Sequence, residues 1–191
     1  MSVLSAVSRE FSYFKFFLKL VGRSRSFDKK KYTTVADIME EQVDKTPDNV
    51  AIEFEDKKYT YREMDAEANQ IANWAINKGY KTGDVISLLM ENKPEYIFIW
   101  FGLAKIGVTV ACLNNNIKSK SLAHCIKKSE SKSLIISSDL MENLASAQEY
   151  IEGNLDVYVA GQDVQGYETL DGSQIENSKV RPETSLREEL S

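Results

Sequence analysis

The stretch VISLLMENKPEYIFIWFGLAKIGVTVACL, residues 85–113, decides the fold of this chain. It opens with a six-residue apolar run, which is typical of a buried strand. Asn92 is the expected cap of the helix that follows, and Pro94 is suited to its first turn. That helix is apolar nearly all round, which predicts burial, and Gly107 is placed to end it. A second apolar run closes the stretch, so the order predicts a βαβ unit with parallel strands and a right-handed crossover.

The same alternation extends in both directions from this unit. Downstream, the patterns predict a helix, a strand, a helix and a strand, over residues 119–128, 134–136, 140–150 and 155–159. Upstream, they predict a helix that begins after Thr33 or Thr34, a hairpin that begins at Val50, and a helix that begins with a capping box at Thr60 and Glu63. The sequence therefore predicts an α/β fold with a doubly wound, mainly parallel sheet.

Composition limits the class of protein. The chain has 191 residues, 42% hydrophobic and 28% charged, with 9 Gly and 3 Pro. These values indicate one globular domain, or one domain with an appendage, and exclude collagen-like and wholly disordered chains. Two cysteines exclude a disulfide scaffold, and a single histidine argues against a His-rich metal site or a Ser-His-Asp hydrolase. There is no run of about 18 apolar residues that would predict a spanning helix.

Charge is distributed unevenly along the chain. Residues 1–31 carry a net charge of +6 and residues 139–191 a net charge of −9, which leaves −2 for the middle of the chain. A basic head on an acidic body predicts an anionic surface as the partner of the head. Nucleic acid is not expected as a partner, because the rest of the chain would repel it.

Residues 1–25 combine bulky apolar side chains with cations at helical spacing. A helix with a wide apolar face and a narrow cationic face favours a membrane interface, where lysines reach anionic headgroups. The alternative is that this helix packs on its own domain or on a further one. A signal peptide fits less well, because lysines interrupt the apolar stretch. The residues predicted to contact a membrane are Phe11, Phe14, Lys15, Phe17, Leu18, Lys19 and Val21.

Three motifs have both a chemical and a structural interpretation. Gly102 and Gly107 have the spacing of a phosphate-binding loop, but Val108 stands where that loop requires lysine, which favours close helix packing and a helix stop. Neighbouring residues of a helix point about 100° apart, so His124 and its neighbouring cysteine are poorly placed to act as a base and a nucleophile. The run 114–116, three asparagines after a strand, is either a site at a strand end or a turn.

Several segments, in this order, resemble the amino-terminal part of the adenylate-forming superfamily. They are DKTPDNVAI at 44–52, YTYREMD at 59–65, GDV at 83–85, MENKPEY at 90–96 and WFGLAKIG at 100–107. The runs LNNNI at 113–117 and SLAHCI at 121–126 are similar to one branch, the fatty acid transport proteins, also called very-long-chain acyl-CoA synthetases. The resemblance covers residues 33–160, and the membrane-seeking head also suits that branch.

The resemblance implies an enzyme that joins a fatty acid to ATP, releases pyrophosphate, and transfers the acyl group to coenzyme A. It implies ATP, magnesium and coenzyme A for a full-length relative. The family's phosphate loop, magnesium-binding Thr-Glu step, ribose-binding Asp and catalytic Lys have no match in this sequence, so we expect the 191-residue chain alone to be inactive. No catalytic, cofactor-binding or metal-binding residue is assigned. The match suggests that Asn114, Asn116 and His124 shape the domain or an acyl pocket.

We therefore expect a basic amphipathic helix at 1–31, an α/β subdomain at 32–160, and an acidic linker at 161–191 that leads towards the phosphate-loop region. The leading hypothesis is the amino-terminal part of a fatty acyl-CoA synthetase coupled to uptake, and the alternative is a truncated, non-catalytic membrane-binding or regulatory protein. The expected partners are fatty acid through the full-length enzyme, an anionic membrane surface, and a second copy or a full-length relative. The expected location is intracellular, on the surface of the endoplasmic reticulum, a peroxisome, an endosome or the plasma membrane.

Overall fold

The computed structural model of the chain describes residues 34–170 and 179–182. The helices in this part are α1 (Val35–Lys45), α2 (Tyr61–Asn77), α3 (Pro94–Lys105), α4 (Ser119–Ser129) and α5 (Met141–Ala147). Short 3-10 helices flank α5 at Ser138–Leu140 and Gln148–Tyr150. The strands are β1 (Val50–Phe54), β2 (Lys57–Thr60), β3 (Val85–Leu89), β4 (Thr109–Cys112), β5 (Ser133–Ser137), β6 (Asp156–Ala160) and β7 (Glu168–Thr169). The amphipathic helix and the membrane contacts predicted from Phe11 to Val21 lie outside the described residues.

The strands form one parallel sheet and one hairpin. The sheet has the order β4-β3-β5-β6-β7, and every neighbouring pair in it is parallel. Next to the edge strand β4, Ile86 of β3 lies between Val110 of β4 and Ser133 of β5. Strands β1 and β2 pair antiparallel in front of α2. The prediction of a parallel α/β sheet led by a helix and a hairpin is confirmed.

Helices cover both faces of the sheet. On one face, Trp74 of α2 and Leu103 of α3 pack in a core cluster with Leu88. On the other face, Leu122 of α4 packs in a second cluster with Leu89, together with α5. Successive side chains of a strand point to opposite faces, which is why neighbouring leucines of β3 belong to different clusters. The sheet is therefore doubly wound, as the uninterrupted apolar strands predicted.

The contact between α2 and α3 explains the glycine motif. A Cβ atom on Gly102 would lie 2.4 Å from the carbonyl oxygen of Ala68 and 2.7 Å from the Cβ atom of Ile71. Gly107 follows α3 with a φ of 72°, in the left-handed region that glycine tolerates. These two positions thus serve close helix packing and the end of a helix, in agreement with the structural interpretation of the motif.

A buried lysine joins α1, α2 and α3. Lys105 of α3 has 1% of its side chain exposed, and its Nζ atom lies 2.7 Å from both Glu40 Oε1 and Asp65 Oδ1. The ammonium group also lies 4.6 Å from the centre of the Phe101 ring. Asp65 and Lys105 belong to two of the segments that carry the family resemblance, so part of that signature is an ion pair within the domain.

The structure differs from the sequence-based expectations at two boundaries. Helix α3 is capped by Lys93, which makes no side-chain capping hydrogen bond, and Asn92 lies one residue earlier. Strand β7 lies within the stretch expected to be a linker, and Leu170 after it is buried in the core. A two-residue strand is too short to produce a periodic apolar pattern, so the sequence contained no signal for it.

Candidate functional site

The carboxyl ends of the parallel strands form the edge at which ligands bind in sheets of this type. Strands β3, β5 and β6 end there at Leu89, Ser137 and Ala160. The chain passes from β3 to β4 on one side, and then returns through α4 to β5 on the other side. The strand order therefore reverses between β3 and β5, and a crevice at this switch point is the expected ligand site.

A cavity of about 550 Å³ opens at this edge. Its walls come from the three strand ends, from the hairpin, and from α2 and α3. The apolar lining consists of Tyr59, Ile71, Met90, Phe98, Ile99, Ala160 and Leu170. The polar and charged lining consists of Glu67, Gln70, Lys93, Glu95, Ser137, Ser138, Asp139 and Gln162. Apolar and polar linings of this kind suit an amphipathic ligand.

An ion pair crosses the switch point. Lys93, at the start of α3, donates to an oxygen of Asp139 in the loop after β5. Its Nζ atom also lies 3.5 Å from Glu91 Oε2. The hydrogen bond to Asp139 is the largest cause that raises the pKa of Lys93, and it outweighs the partial burial that lowers it. Lys93 therefore stays cationic, at a position that lines the cavity.

The loops after β5 and β6 are held together at the same edge. The backbone nitrogen of Gln162 donates to Ser138 Oγ over 3.2 Å. Gly161, directly after β6, has a φ of 109°, and a Cβ atom there would lie 2.8 Å from Ser138 Oγ. A side chain at position 161 would therefore be strained and would displace the serine hydroxyl from the cavity wall.

The residues singled out from the sequence lie elsewhere. Asn114 Oδ1 accepts hydrogen bonds from the backbone nitrogen of Asn116 at 2.9 Å and from its side-chain nitrogen at 3.2 Å, which is a local turn contact. Both asparagines are exposed, and His124 is exposed on α4. None of the three is among the residues that line the cavity. These contacts between residues 114 and 116 are those of a local turn.

The cavity residues could have been found by applying one rule to every strand. Residues 91–93 and 138–139 are polar residues shortly after the parallel strands β3 and β5, as residues 114–116 are after β4. Their position at the switch point depends on the strand order, which the local sequence does not specify. Within residues 34–170 and 179–182, no group of three or more His, Cys, Asp or Glu side chains is arranged to hold a metal ion. Among the helices of these ranges, none is both long and apolar enough to cross a membrane.

Comparison with protein families gives one match over most of the described chain. The model that describes AMP-binding enzymes matches residues 39–189. Among curated proteins, the chain is 39% identical over 112 residues to long-chain fatty acid transport protein 6 of Mus musculus, with 58% of this chain and 18% of that protein covered. It is 36% identical over 133 residues to long-chain fatty acid transport protein 2 of Rattus norvegicus, with 67% and 22% covered. The chain thus spans about a fifth of the length of these two relatives.

Solved structures show the same fold. The anthranilate CoA ligase AuaEII in complex with anthranoyl-AMP superposes with a TM-score of 0.71 at 21% identity, over 78% of this chain and 29% of that chain. A putative long-chain-fatty-acid CoA ligase from Rhodopseudomonas palustris superposes with a TM-score of 0.69 at 20% identity, over 79% and 38%. At this level of identity the likeness concerns the fold of the described residues.

Proposed function

The chain belongs to the family of AMP-binding enzymes, and from this premise we propose that it is the amino-terminal part of a fatty acyl-CoA synthetase of the fatty acid transport type. The observation that carries the proposal is the similarity to long-chain fatty acid transport proteins, which extends over 150 residues, at 33% identity, in the human protein 6. The reaction proposed for the whole protein is activation of a long-chain or very-long-chain fatty acid. The acid and ATP form an acyl-adenylate and pyrophosphate, and the thiolate of coenzyme A then displaces AMP, which traps the acid after uptake.

The part of this activity that we assign to the described residues is the binding of an amphipathic ligand. Ile71, Phe98 and Ile99 offer the cavity an apolar wall, and Lys93 and Ser138 offer it a cation and a hydroxyl group. A fatty acid matches the apolar wall through its chain, and its carboxylate would have to replace Asp139 beside Lys93, because that lysine is already paired with Asp139 and lies near Glu91. Apolar burial would provide most of the affinity, and the lysine would orient the carboxylate.

A binding experiment tests this assignment. We expect a fluorescent long-chain fatty acid to bind the 191-residue chain, and Lys93→Ala to weaken binding about tenfold, which corresponds to the loss of one charged hydrogen bond. Lys45→Ala is the matched control, because Lys45 lies on α1 with 63% of its side chain exposed and does not line the cavity. Equal affinity of Lys93→Ala and the unaltered chain for the fatty acid would contradict the assignment of fatty acid binding to this cavity.

A second experiment tests the catalytic part of the proposal. We expect the purified chain to catalyse no exchange between ATP and pyrophosphate in the presence of oleate. The cations and backbone amides that stabilise the charge of transferred phosphates are expected in the family's phosphate loop and at its catalytic lysine, outside the segments that carry the resemblance. Formation of AMP by this chain alone would contradict the proposal.

The mass of the protein in its own cells distinguishes the two functional hypotheses. An antibody raised to residues 139–191 is expected to detect a species of about three times 21.7 kDa, because the 150 matched residues make up 76% of this chain and 24% of the human relative. A species of 21.7 kDa would instead support the second candidate, a non-catalytic membrane-binding or regulatory protein.

The second candidate is favoured by the composition of the head. Residues 1–31 carry a net charge of +6 together with a run of aromatic side chains. We propose that this head binds anionic membrane surfaces inside the cell. The chain is expected to sediment with vesicles that contain phosphatidylserine and not with neutral vesicles, and Lys15→Ala combined with Lys19→Ala is expected to reduce sedimentation. Lys127→Ala with Lys128→Ala is the charge-matched control, and equal loss in both variants would contradict specific binding by the head.

A further inference from the structure

Residues 179–182 lie against α1 and α2, far in sequence from both helices. The side chains of Asn69 and Asn73 on α2 donate to two successive backbone carbonyls of this segment, those of Lys179 and Val180, each over 3.0 Å. Residues four apart on a helix face the same way, so the two amides form a short ladder along α2. A ladder of this kind contacts the backbone of the segment independently of its side chains.

The side chains of the segment are recognised at every second position. Lys179 Nζ lies 2.7 Å from Glu67 Oε1. Arg181 contacts Asp44 through both terminal nitrogens, at 3.1 and 3.4 Å. Val180 between them is 73% exposed. Both basic side chains of the segment therefore contact carboxylates of α1 and α2, whereas the apolar side chain between them faces solvent.

Arg181 also reaches the buried ion pair beneath the segment. Its Nε atom lies 3.3 Å from Glu40 Oε1, and an Nη atom lies 3.4 Å from Asp65 Oδ2. Burial lowers the pKa of Arg181, but the hydrogen bond to Asp44 and the charges of Asp65 and Glu40 together raise it above its ordinary value. The guanidinium is therefore held as a cation by three carboxylates.

The charges of this face complement a basic segment. The four carboxylates and one buried lysine give the face a net charge of −3, and docking of Lys179 and Arg181 reduces it to −1. The carboxylates are Glu40, Asp44, Asp65 and Glu67, and the lysine is Lys105. A neutral or acidic segment would leave this excess uncompensated, so the face selects for cations at alternate positions.

We propose that the face formed by α1 and α2 is a recognition groove for a basic segment with the pattern Lys-x-Arg, and that residues 179–182 of this chain occupy it. The occupant is a segment of the same chain, and the recognition elements are the amide ladder and the acidic contacts described above. The groove holds the chain at a defined point of the domain surface. This inference is independent of the proposed enzymatic function.

Binding of a peptide in trans tests the groove. The 191-residue chain with Lys179→Ala and Arg181→Ala is titrated with a fluorescent peptide of residues 178–184, Ser-Lys-Val-Arg-Pro-Glu-Thr. The variant is expected to bind this peptide at least tenfold more tightly than the unaltered chain, because the tethered segment competes at a high effective concentration. Added salt is expected to weaken the binding.

The controls match charge and sequence. A chain with Lys127→Ala and Lys128→Ala loses the same charge on α4 and is expected to behave like the unaltered chain. Arg181→Lys keeps the charge without the planar fork, and this milder variant is expected to bind the peptide with intermediate affinity if the double variant does not fold. The proposal would be overturned if all variants bound the peptide with the same affinity. It would also be overturned if a peptide with alanine at both basic positions bound as tightly as the natural peptide.

Discussion

Lys105 shows how one buried charge can be accommodated in this domain. Removing an ammonium group from water is costly unless carboxylates and good geometry replace the hydration. Here Glu40 and Asp65 approach within 2.7 Å from two different helices, and the ring of Phe101 lies beside the cation. The lysine thereby ties α1 and α2 to α3, although its partners are themselves paired with other groups.

Replacement of Lys105 is expected to destabilise the domain much more than replacement of an exposed lysine. Lys105→Met is expected to reduce the free energy of unfolding by about 3–5 kcal/mol, because two carboxylates lose the cation between them. Lys45→Met is the matched control, since the exposed pair of Lys45 with Glu41 contributes less than about 0.5 kcal/mol. Urea denaturation measures both variants, and losses of equal size would contradict a special role for Lys105.

Helix α2 is the element on which the amino-terminal half of the domain depends. It begins with a complete capping box, in which Thr60 Oγ1 accepts from the backbone nitrogen of Glu63 at 3.2 Å. In return, Glu63 Oε2 accepts from the backbone nitrogen of Thr60 at 2.8 Å. From this start α2 packs along α3 and presents the amide ladder to residues 179–182. The geometry of its first turn thus sets the position of both surfaces.

Removal of the capping hydrogen bond is expected to destabilise α2. Thr60→Ala is expected to reduce the free energy of unfolding near pH 7 by about 1 kcal/mol. Thr60→Ser keeps a hydroxyl group that can cap the helix, so it is expected to retain most of that stability. The hydrogen bonds from the backbone and side chain of Thr60 lower the pKa of Glu63 below its ordinary 4.5. A lowered pKa means that the contribution of the carboxylate is present above pH 4.5 and lost as pH falls through the folded value.

Stability measured against pH therefore checks the same prediction in a second way. The difference between Thr60→Ala and the unaltered chain is expected to shrink as pH falls below the ordinary pKa of Glu63. Glu63→Gln, which keeps an acceptor without the charge, is expected to abolish that part of the pH dependence. A difference that stays constant with pH would mean that the box acts without the carboxylate.

At the scale of the whole molecule, the three core clusters share helices. Trp74 and Leu103 of α2 and α3 pack over the sheet, whereas Met64, Phe98 and Phe101 of the same two helices pack with α1 and the hairpin. Strand β3 contributes to the clusters on both faces of the sheet. In the described part of the chain, each core cluster therefore shares at least one helix or strand with another cluster.

This sharing predicts a single cooperative unfolding transition. Denaturation followed by tryptophan fluorescence, which reports on Trp74 with 4% exposure and on the partly buried Trp100, is expected to coincide with denaturation followed by far-ultraviolet circular dichroism. Loss of the α2–α3 packing would expose the sheet and the hairpin together. Separate midpoints for the two probes would show that the hairpin and α1 unfold as an independent unit.

Local interactions determined most of the fold from the sequence. Apolar runs of strand length, the capping box at Thr60 and the stop at Gly107 act over about four residues, so they can be read directly and they predicted the order of helices and strands. The family resemblance rests on the same local segments. The sequence did not predict β7, because a strand of two residues is too short to give a periodic pattern. It also did not decide whether residues 114–116 form a turn or a site.

The tertiary structure decided which distant residues meet. Lys93 and Asp139 are 46 residues apart, Lys105 and Glu40 are 65 apart, and Arg181 and Asp65 are 116 apart. Their contacts follow from strand order, from helix packing and from the path of the chain, none of which is encoded in a repeating local pattern. The cavity at the switch point and the groove for residues 179–182 exist because folding closes these long loops, whereas the helices and strands around them were already specified by their own residues.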